Sequence, residues 1–364
     1  MNKTIITIIL IINSFILNSQ EVSLLFFGDI MGHDAQIESA LQSDGSYQYD
    51  TCFKYIEPTF RSAHIVTGNL EVTLAGPPYA GYPAFTSPDE LAIALKNAGV
   101  NTLVTANNHS YDKGRRGMER TIDILEEQYF VRTGTFKDSA DLNDNNPQII
   151  DIEGIRIALL NYTYGTNGIK VRQPNIVNHI IKSEIKEHLK KTKSLNPDKI
   201  IVFIHWGKEY QTIPDNSQKE TAKFLFDEGV DIIIGSHPHV VQPMHLYKEE
   251  KGKEKLVVYS LGNFVSNQRK SYTDGGAMLR IELNKEDGIT SIAKAEHLLT
   301  WVHTPIENGK KQYYILPASI YSAKGVPSHI PAGWEGMNSY LIKARKVMKQ
   351  NTNIPEIKEE WPLL

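Results

Sequence analysis

The chain has 364 residues, 41% of them apolar and 22% charged, enough to bury a sizeable core in one large domain or two ordinary ones. Its 39 Lys and Arg against 42 Asp and Glu give a net charge of −3, which argues against a dedicated nucleic-acid binder. A single cysteine, Cys52, excludes an intrachain disulfide and a cysteine-based zinc site, so any metal must be held by nitrogen and oxygen, for which 12 His are present.

At the start, Met1-Asn2-Lys3 carries one positive charge before an apolar run over 5–12. Phe15-Ile16-Leu17 resumes that run and Asn18-Ser19-Gln20 follows. A spanning helix needs about 20 apolar residues. The stretch is shorter and reads as an export signal over 1–19, cut near Ser19. An uncleaved anchor or a buried first strand are the other readings. No Cys lies near the cut, so lipid attachment is not expected, and no other run is long and apolar enough to cross a membrane.

Short runs rich in β-branched and aromatic residues recur at 22–27, 64–66, 102–105, 200–204, 231–234 and 256–259. Continuous apolar runs of this length between polar clusters mark strands buried on both faces. Helical patterns lie between several of them. One begins at Ser87-Pro88-Asp89-Glu90, with Ser as the cap and Pro at the first helical position, and stops at Gly99. Others cover 116–128, 183–191 and 218–228. Strand–helix alternation predicts an α/β sheet. Two hairpins are also expected, 149–153 with 155–162 around Gly154, and 278–283 with 292–301 around 284–288, so the sheets are mixed. The stretch 76–88, rich in Pro, Gly and Tyr, reads as a loop at a site rim, and the charge run 248–255 as a solvated hairpin tip. Met337, Leu341, Ala344 and Met348 repeat at helical spacing and predict a docked amphipathic helix. The simplest division is a leader over 1–19, one catalytic domain over 20–305, and a C-terminal extension over 306–364.

The chemistry follows the strands. The first run leads to Gly28-Asp29 and then His33. The second leads to Gly68-Asn69-Leu70-Glu71, and the third to Asn107-Asn108-His109 and Asp112. The fourth leads to His205-Trp206-Gly207, the fifth to Gly235-Ser236-His237-Pro238-His239, and the sixth to Ser260-Leu261-Gly262-Asn263. Sites in such sheets form beyond the carboxyl ends of the strands, so Asp, Glu, Asn and His converge on one rim. Carboxylate, amide oxygen and imidazole suit hard or borderline divalent ions. There are too many ligands for one tetrahedral ion. The set suits two ions sharing a carboxylate, an arrangement that clamps both oxygens of an in-line displacement and lowers the pKa of a bound water toward about 7.

In their order and strand context, Gly-Asp, Asn-Leu-Glu, Asn-Asn-His, His-Trp-Gly, Gly-Ser-His-Pro-His and Tyr-Ser-Leu-Gly-Asn-Phe resemble the CapA/PgsA capsule-synthesis family, itself related to the calcineurin-like metallophosphoesterases. The resemblance runs from about Glu21 to Pro305. It implies a four-layer α/β/β/α metallophosphoesterase-like sandwich with mixed sheets and a dinuclear metal site. It also implies a role linked to poly-γ-glutamate or another capsular polymer. By position, Asp29 and His239 bind the first ion, Glu71 bridges, and Asn108, His205 and His237 hold the second. His109 faces the phosphate as acid or electrostatic stabiliser, and Asp112 orients it. His33 stands four residues after Asp29, where the wider superfamily has Asp-x-His, and its part as a metal ligand stays open. Glu71 stands where the superfamily uses Asp.

The expectation is therefore an exported metal-dependent hydrolase with two divalent ions, Mn, Fe or Zn in preference to Ca. It attacks phosphorus, or as second choice an amide carbonyl, in an envelope polymer or a small phosphoester. Membrane polymer-synthase subunits are the expected partners, and no nucleic acid is. Two alternatives remain: a non-catalytic tethering subunit of a polymer synthase, and an exported phosphodiesterase or nucleotidase with an aromatic rim of Tyr79, Tyr82 and Phe85. Asn263 and Ser260 read as turn residues and Cys52 as a small core residue. His303, following Trp301-Val302, is a weaker candidate for the rim. The remaining histidines read as surface or core residues.

Overall fold

The computed structural model of the protein describes residues 20–248 and 253–364. The expected leader over 1–19 lies outside the described residues, as does the middle of the 248–255 charge run.

Two sheets carry the fold. In the first, the strands run in the order Tyr314–Leu316, Ile289–His303, Gly275–Glu286, Gln20–Ile30, Ile65–Leu70, Thr102–Val104 and Val131–Thr133, and Asn263–Val265 pairs with the end of Gln20–Ile30. The second has the order Met244–Lys248, Glu254–Val258, Ile232–Ser236, Lys199–His205, Ile155–Thr163 and Gln148–Ile152. Its four inner strands are parallel and both edges are antiparallel, closed by the expected hairpin around Gly154 and by a hairpin across the charge run. The first sheet likewise joins a parallel half to the long antiparallel hairpin of 275–303.

Alternation along each strand sorts side chains into layers. Val22, Leu24 and Phe26 point between the sheets and meet Ile201, Phe203, Ile232 and Ile234. Their neighbours Leu25 and Phe27 face outward, against Phe53, Phe60, Leu91 and Leu95. On the far side, Val202, Ile204 and Ile233 pack against Ile185 and Leu189 of helix Lys182–Ser194 and Ala222 and Leu225 of helix Asn216–Asp227. Helices thus cover both outer faces, giving four α/β/β/α layers. Each such aromatic or aliphatic side chain contributes about 1.5–3 kcal/mol on full burial, and burial on both faces explains why the inner strands read as unbroken apolar runs.

Two details bear on the earlier expectations. Helix Glu90–Ala98 ends as expected, with Gly99 in the left-handed region at φ 110°, but its cap is Asp89, not Ser87. Ser87 is held one step earlier, its N–H donating to Thr73 O at 2.9 Å, while the Asp89 carboxylate takes both guanidinium nitrogens of Arg120 at 2.6 and 2.7 Å. The C-terminal helix forms over Gly336–Met348 and buries Met337, Leu341, Ala344 and Met348. It joins the central core with Leu299 and Trp301 of the long hairpin.

Gly28 shows why the strand ends can meet. A Cβ there would lie 1.9 Å from Gly262 O, and Asp29 N–H donates to that same carbonyl at 3.0 Å. Only glycine lets the 261–263 turn approach closely enough to pin Asp29.

Candidate metal centre

The parallel strands of both sheets end on one side. Asp29, Glu71 and His205 are there with no exposed surface, and His237, His239 and Asn108 are at most 3% exposed. His237 and His239 have φ of 97° and 58°, a left-handed conformation uncommon for a non-glycine residue and costing on the order of 1–3 kcal/mol each. The turn is held in this form while presenting both rings inward.

Ligand atoms of Asp29, Glu71 and His239 all lie within 4.8 Å of one another, and so do those of Glu71, His205 and His237. Glu71 belongs to both groups. His205 Nε2 lies 2.8 Å from Asn108 Oδ1 and 3.5 Å from Glu71 Oε1. His239 Nδ1 lies 3.2 Å from Asp29 Oδ2 and 3.1 Å from Asn263 Oδ1. Asn69 ties the acids together: its amide donates to Asp29 Oδ1 at 2.8 Å and reaches Glu71 Oε2 at 3.4 Å, while its oxygen accepts from Asn107 Nδ2 at 3.1 Å.

The electrostatics leave room for a cation. Among the described residues, the ion-pair contacts of Asp29 and Glu71 are with histidine alone. Glu71 Oε1 and His237 Nδ1 are buried without a hydrogen-bond partner. Burial, and then the neighbouring Asp29 charge, push the Glu71 carboxyl well above the usual carboxylate range. Burial and the adjacent His237, His239 and His109 hold His205 well below the usual imidazole value. His237 is lowered to about 3 by burial and by His239. Neutral imidazoles are what a metal requires, and a bound cation would bring Glu71 back to its charged form. The donor set of carboxylate, amide oxygen and imidazole therefore fits divalent metal.

His109 stands apart from these groups. Its Nδ1 lies 2.7 Å from Asp112 Oδ2, with both side chains at most 5% exposed. The same Asp112 oxygen accepts from Phe85 N–H at 2.8 Å, and the Phe85 ring meets His109 edge-on at 4.6 Å. Asn167 Nδ2 lies 3.4 Å from His109 Nδ1.

His33 is brought to the rim but not into a ligand group. It caps helix Asp34–Ala40, with Nδ1 3.1 Å from Gln36 Oε1 and 3.3 Å from Asn267 N. Of the aromatic rim, Tyr82 is exposed and edge-on to Phe85, Phe85 is buried, and Tyr79 packs on Tyr47 at 5.2 Å. His303 is engaged elsewhere, by Pro331 O at 2.9 Å and the Trp301 ring. Three residues at the site were not expected: Glu209, Tyr164 and Tyr210. Glu209 forms a third group with His237 and His239. Tyr164 lies 4.6 Å from the His237 ring, stacks on His205 at 6.2 Å, and also lines a groove of about 600 Å³ beside the site. Tyr210 lies 6.1 Å from His239. The available signal was proximity in sequence: Tyr164 directly follows an inner strand and Glu209-Tyr210 follow His205-Trp206-Gly207.

The layered sheets and the buried acid–imidazole cluster at their carboxyl edge define an α/β/β/α sandwich with a candidate metal centre. The family described as "Bacterial capsule synthesis protein PGA_cap" matches residues 23–268, and the chain belongs to that family. It is 30% identical over 285 residues to the "PGA biosynthesis protein CapA" of Bacillus subtilis (strain 168), covering 72% of this chain and 68% of that protein. It is 29% identical over 282 residues to the "Capsule biosynthesis protein CapA" of Bacillus anthracis, covering 73% and 64%. The matches thus span about two thirds of these relatives. Among solved structures, the calcineurin-like phosphoesterase YfkN from Bacillus subtilis aligns with a TM-score of 0.46 and 15% identity, over 90% of this chain and 97% of that one. Among the described residues no helix is long and apolar enough to cross a membrane.

Proposed function

We propose that this chain is an exported, metal-dependent phosphoester hydrolase acting in the synthesis of a capsular polymer. The observation that carries the reading is the pair of buried ligand groups sharing Glu71, with the His109–Asp112 pair beside them. Asp29, Glu71 and His239 would hold one divalent ion and Glu71, Asn108, His205 and His237 the other, with Mn, Fe or Zn favoured over Ca by the imidazole share. When bound, such a pair supplies Lewis acidity and a water of lowered pKa.

The chain's own residues do the rest. Asn69 fixes the two carboxylates against each other. Asp112 holds His109 by Nδ1, which leaves Nε2 as the nitrogen that carries a proton to the departing oxygen. The edge of Phe85 keeps the imidazole from turning. Tyr164 and the adjoining groove offer a wall for the remainder of a substrate. Export rests on the apolar stretch at 5–17 with a small residue before Gln20. Mature chains beginning near Gln20 in an envelope fraction would support it, and retention of residues 1–19 would favour the anchor.

The test of activity is turnover of alkyl and nitrophenyl phosphoesters by protein loaded in turn with Mn, Fe and Zn. Turnover by at least one form is expected. Bound metal with no turnover of any phosphoester would favour the non-catalytic tethering role.

A further inference from the structure

One of the two ligand groups is short of a partner. Asp29, Glu71 and His239 converge, but Glu71 is shared with the other group. His33, the nearest imidazole in sequence, belongs to none of the ligand groups, and its Nδ1 lies against Gln36 Oε1 and Asn267 N. Glu209 does approach. It follows the strand Lys199–His205, and Tyr210 N–H donates to Pro238 O at 2.8 Å, which draws this loop onto the His237-Pro238-His239 turn. A Glu209 carboxylate oxygen and a ring nitrogen from each of His237 and His239 lie within 4.8 Å of one another. His237 belongs to one group and His239 to the other. Glu209 therefore addresses both, as Glu71 does, but Glu71 is fully buried and Glu209 is exposed. Among the described residues no Lys or Arg forms an ion pair with the Glu209 carboxylate. His237 Nδ1, buried without a partner, is the second sign that this corner is completed by something from outside.

We propose that Glu209 is a metal ligand, the outward-facing carboxylate of the ion pair, supplying the contact that His33 does not make. The inference rests on the two-ion reading above. It makes the pair unequal. With Glu209 added through His239 to Asp29 and Glu71, that position would have three carboxylates and one imidazole, an oxygen-rich set that suits Mn²⁺ better than Zn²⁺. The position of Asn108, His205, His237 and Glu71 is richer in nitrogen. Being exposed, Glu209 is also the ligand that can swing aside to admit an ion or an anionic substrate group.

The experiment loads the full chain with Mn²⁺. It compares wild type, Glu209→Gln and His33→Ala by elemental analysis after gel filtration, by Mn²⁺ release to a chelator, and by the paramagnetic signature of coupled ions. Glu209→Gln keeps the side chain's size and sits on the surface, so a wild-type circular dichroism spectrum is expected. The wild type should hold two coupled ions. Glu209→Gln should hold one tightly and the other about 10- to 100-fold more weakly, with loss of the coupled signal, and His33→Ala should keep both. Two ions of unchanged affinity in Glu209→Gln would overturn the proposal. So would an ion lost from His33→Ala and kept by Glu209→Gln. A wild type that binds no Mn²⁺, Fe or Zn overturns the two-ion reading itself, and this inference with it; that outcome shows in the unaltered protein and is told apart from a failure at Glu209.

Discussion

Glu71 is a fully buried carboxylate and Glu356 a half-buried one, and their surroundings treat them in opposite ways. At Glu356, burial pushes the carboxyl up, but hydrogen bonds from Arg345 and from the Ser319 hydroxyl outweigh it and hold the group below its ordinary value. Arg345 Nε reaches Oε2 at 2.9 Å, its terminal nitrogen reaches Oε1 at 2.8 Å, and Ser319 Oγ donates at 2.6 Å. Among the described residues Glu71 pairs with no such cation, only with histidines beside the Asp29 charge, and its carboxyl is pushed up. A buried charge that is answered within the chain fastens structure. One that is not answered marks a place for an ion from outside.

The difference is broken most severely by removing what the strand-edge cluster waits for. His239→Ala should lose metal and depress turnover of every phosphoester alike. Stripping the wild type with a chelator should cost about 2.7 kcal/mol of stability per ion relative to protein held at an ion concentration 100 times the dissociation constant. Thermal unfolding with and without metal reads the second effect. Equal stability in both states would mean that the cluster is complete without an ion.

The next effect separates chemistry from metal binding inside the same region. His109 lies outside both ligand groups and is held by Asp112. General acid help is typically worth about 10²- to 10⁴-fold and matters most for poor leaving groups. His109→Ala should keep both ions, lose a factor of that order on alkyl phosphoesters, and retain much more of its activity on nitrophenyl esters. If His109→Ala released metal as readily as His239→Ala, His109 would be a ligand.

What the sequence disclosed follows the same division. The inner strands were legible because burial on both faces leaves unbroken apolar runs, and the residues just past them were legible because such strands end on one rim. The 149–162 and 275–303 hairpins were marked by Gly154 and by the polar turn ending at Gly288. The short strands Val131–Thr133 and Tyr314–Leu316 were not, since their pairing is decided by neighbours farther along the chain. His33 carried two local signals, its spacing from Asp29 and a capping box completed by Gln36 three residues on, and the second is the one formed here. Ser87 is the reverse case, a strong local cap signal overridden by a long-range bond to Thr73. Glu209 had only its place just after His205-Trp206-Gly207 as a signal; the contact of Tyr210 with Pro238 draws its loop onto the histidine turn.

The smallest effect tests the answered charge. Arg345→Met keeps the apolar stem and removes the guanidinium from Glu356. The pair is partly exposed, so its loss should cost only about 1 kcal/mol at neutral pH, and metal content and turnover should not change. The sign with pH is fixed by Glu356, whose carboxyl is held below the ordinary 4.5. An acid with a depressed folded pKa stabilises the native state above its unfolded value and loses that contribution as pH falls through the folded one. The stability difference between wild type and Arg345→Met should therefore be constant near neutrality, shrink below about pH 5, and vanish in strong acid. The neighbouring His297, lowered chiefly by burial, is present in both proteins and largely cancels. Denaturant unfolding of both proteins across this range measures the difference directly. A difference that persisted in strong acid would mean that Arg345 acts by packing alone, and the clasp at Glu356 would then not be an answered charge.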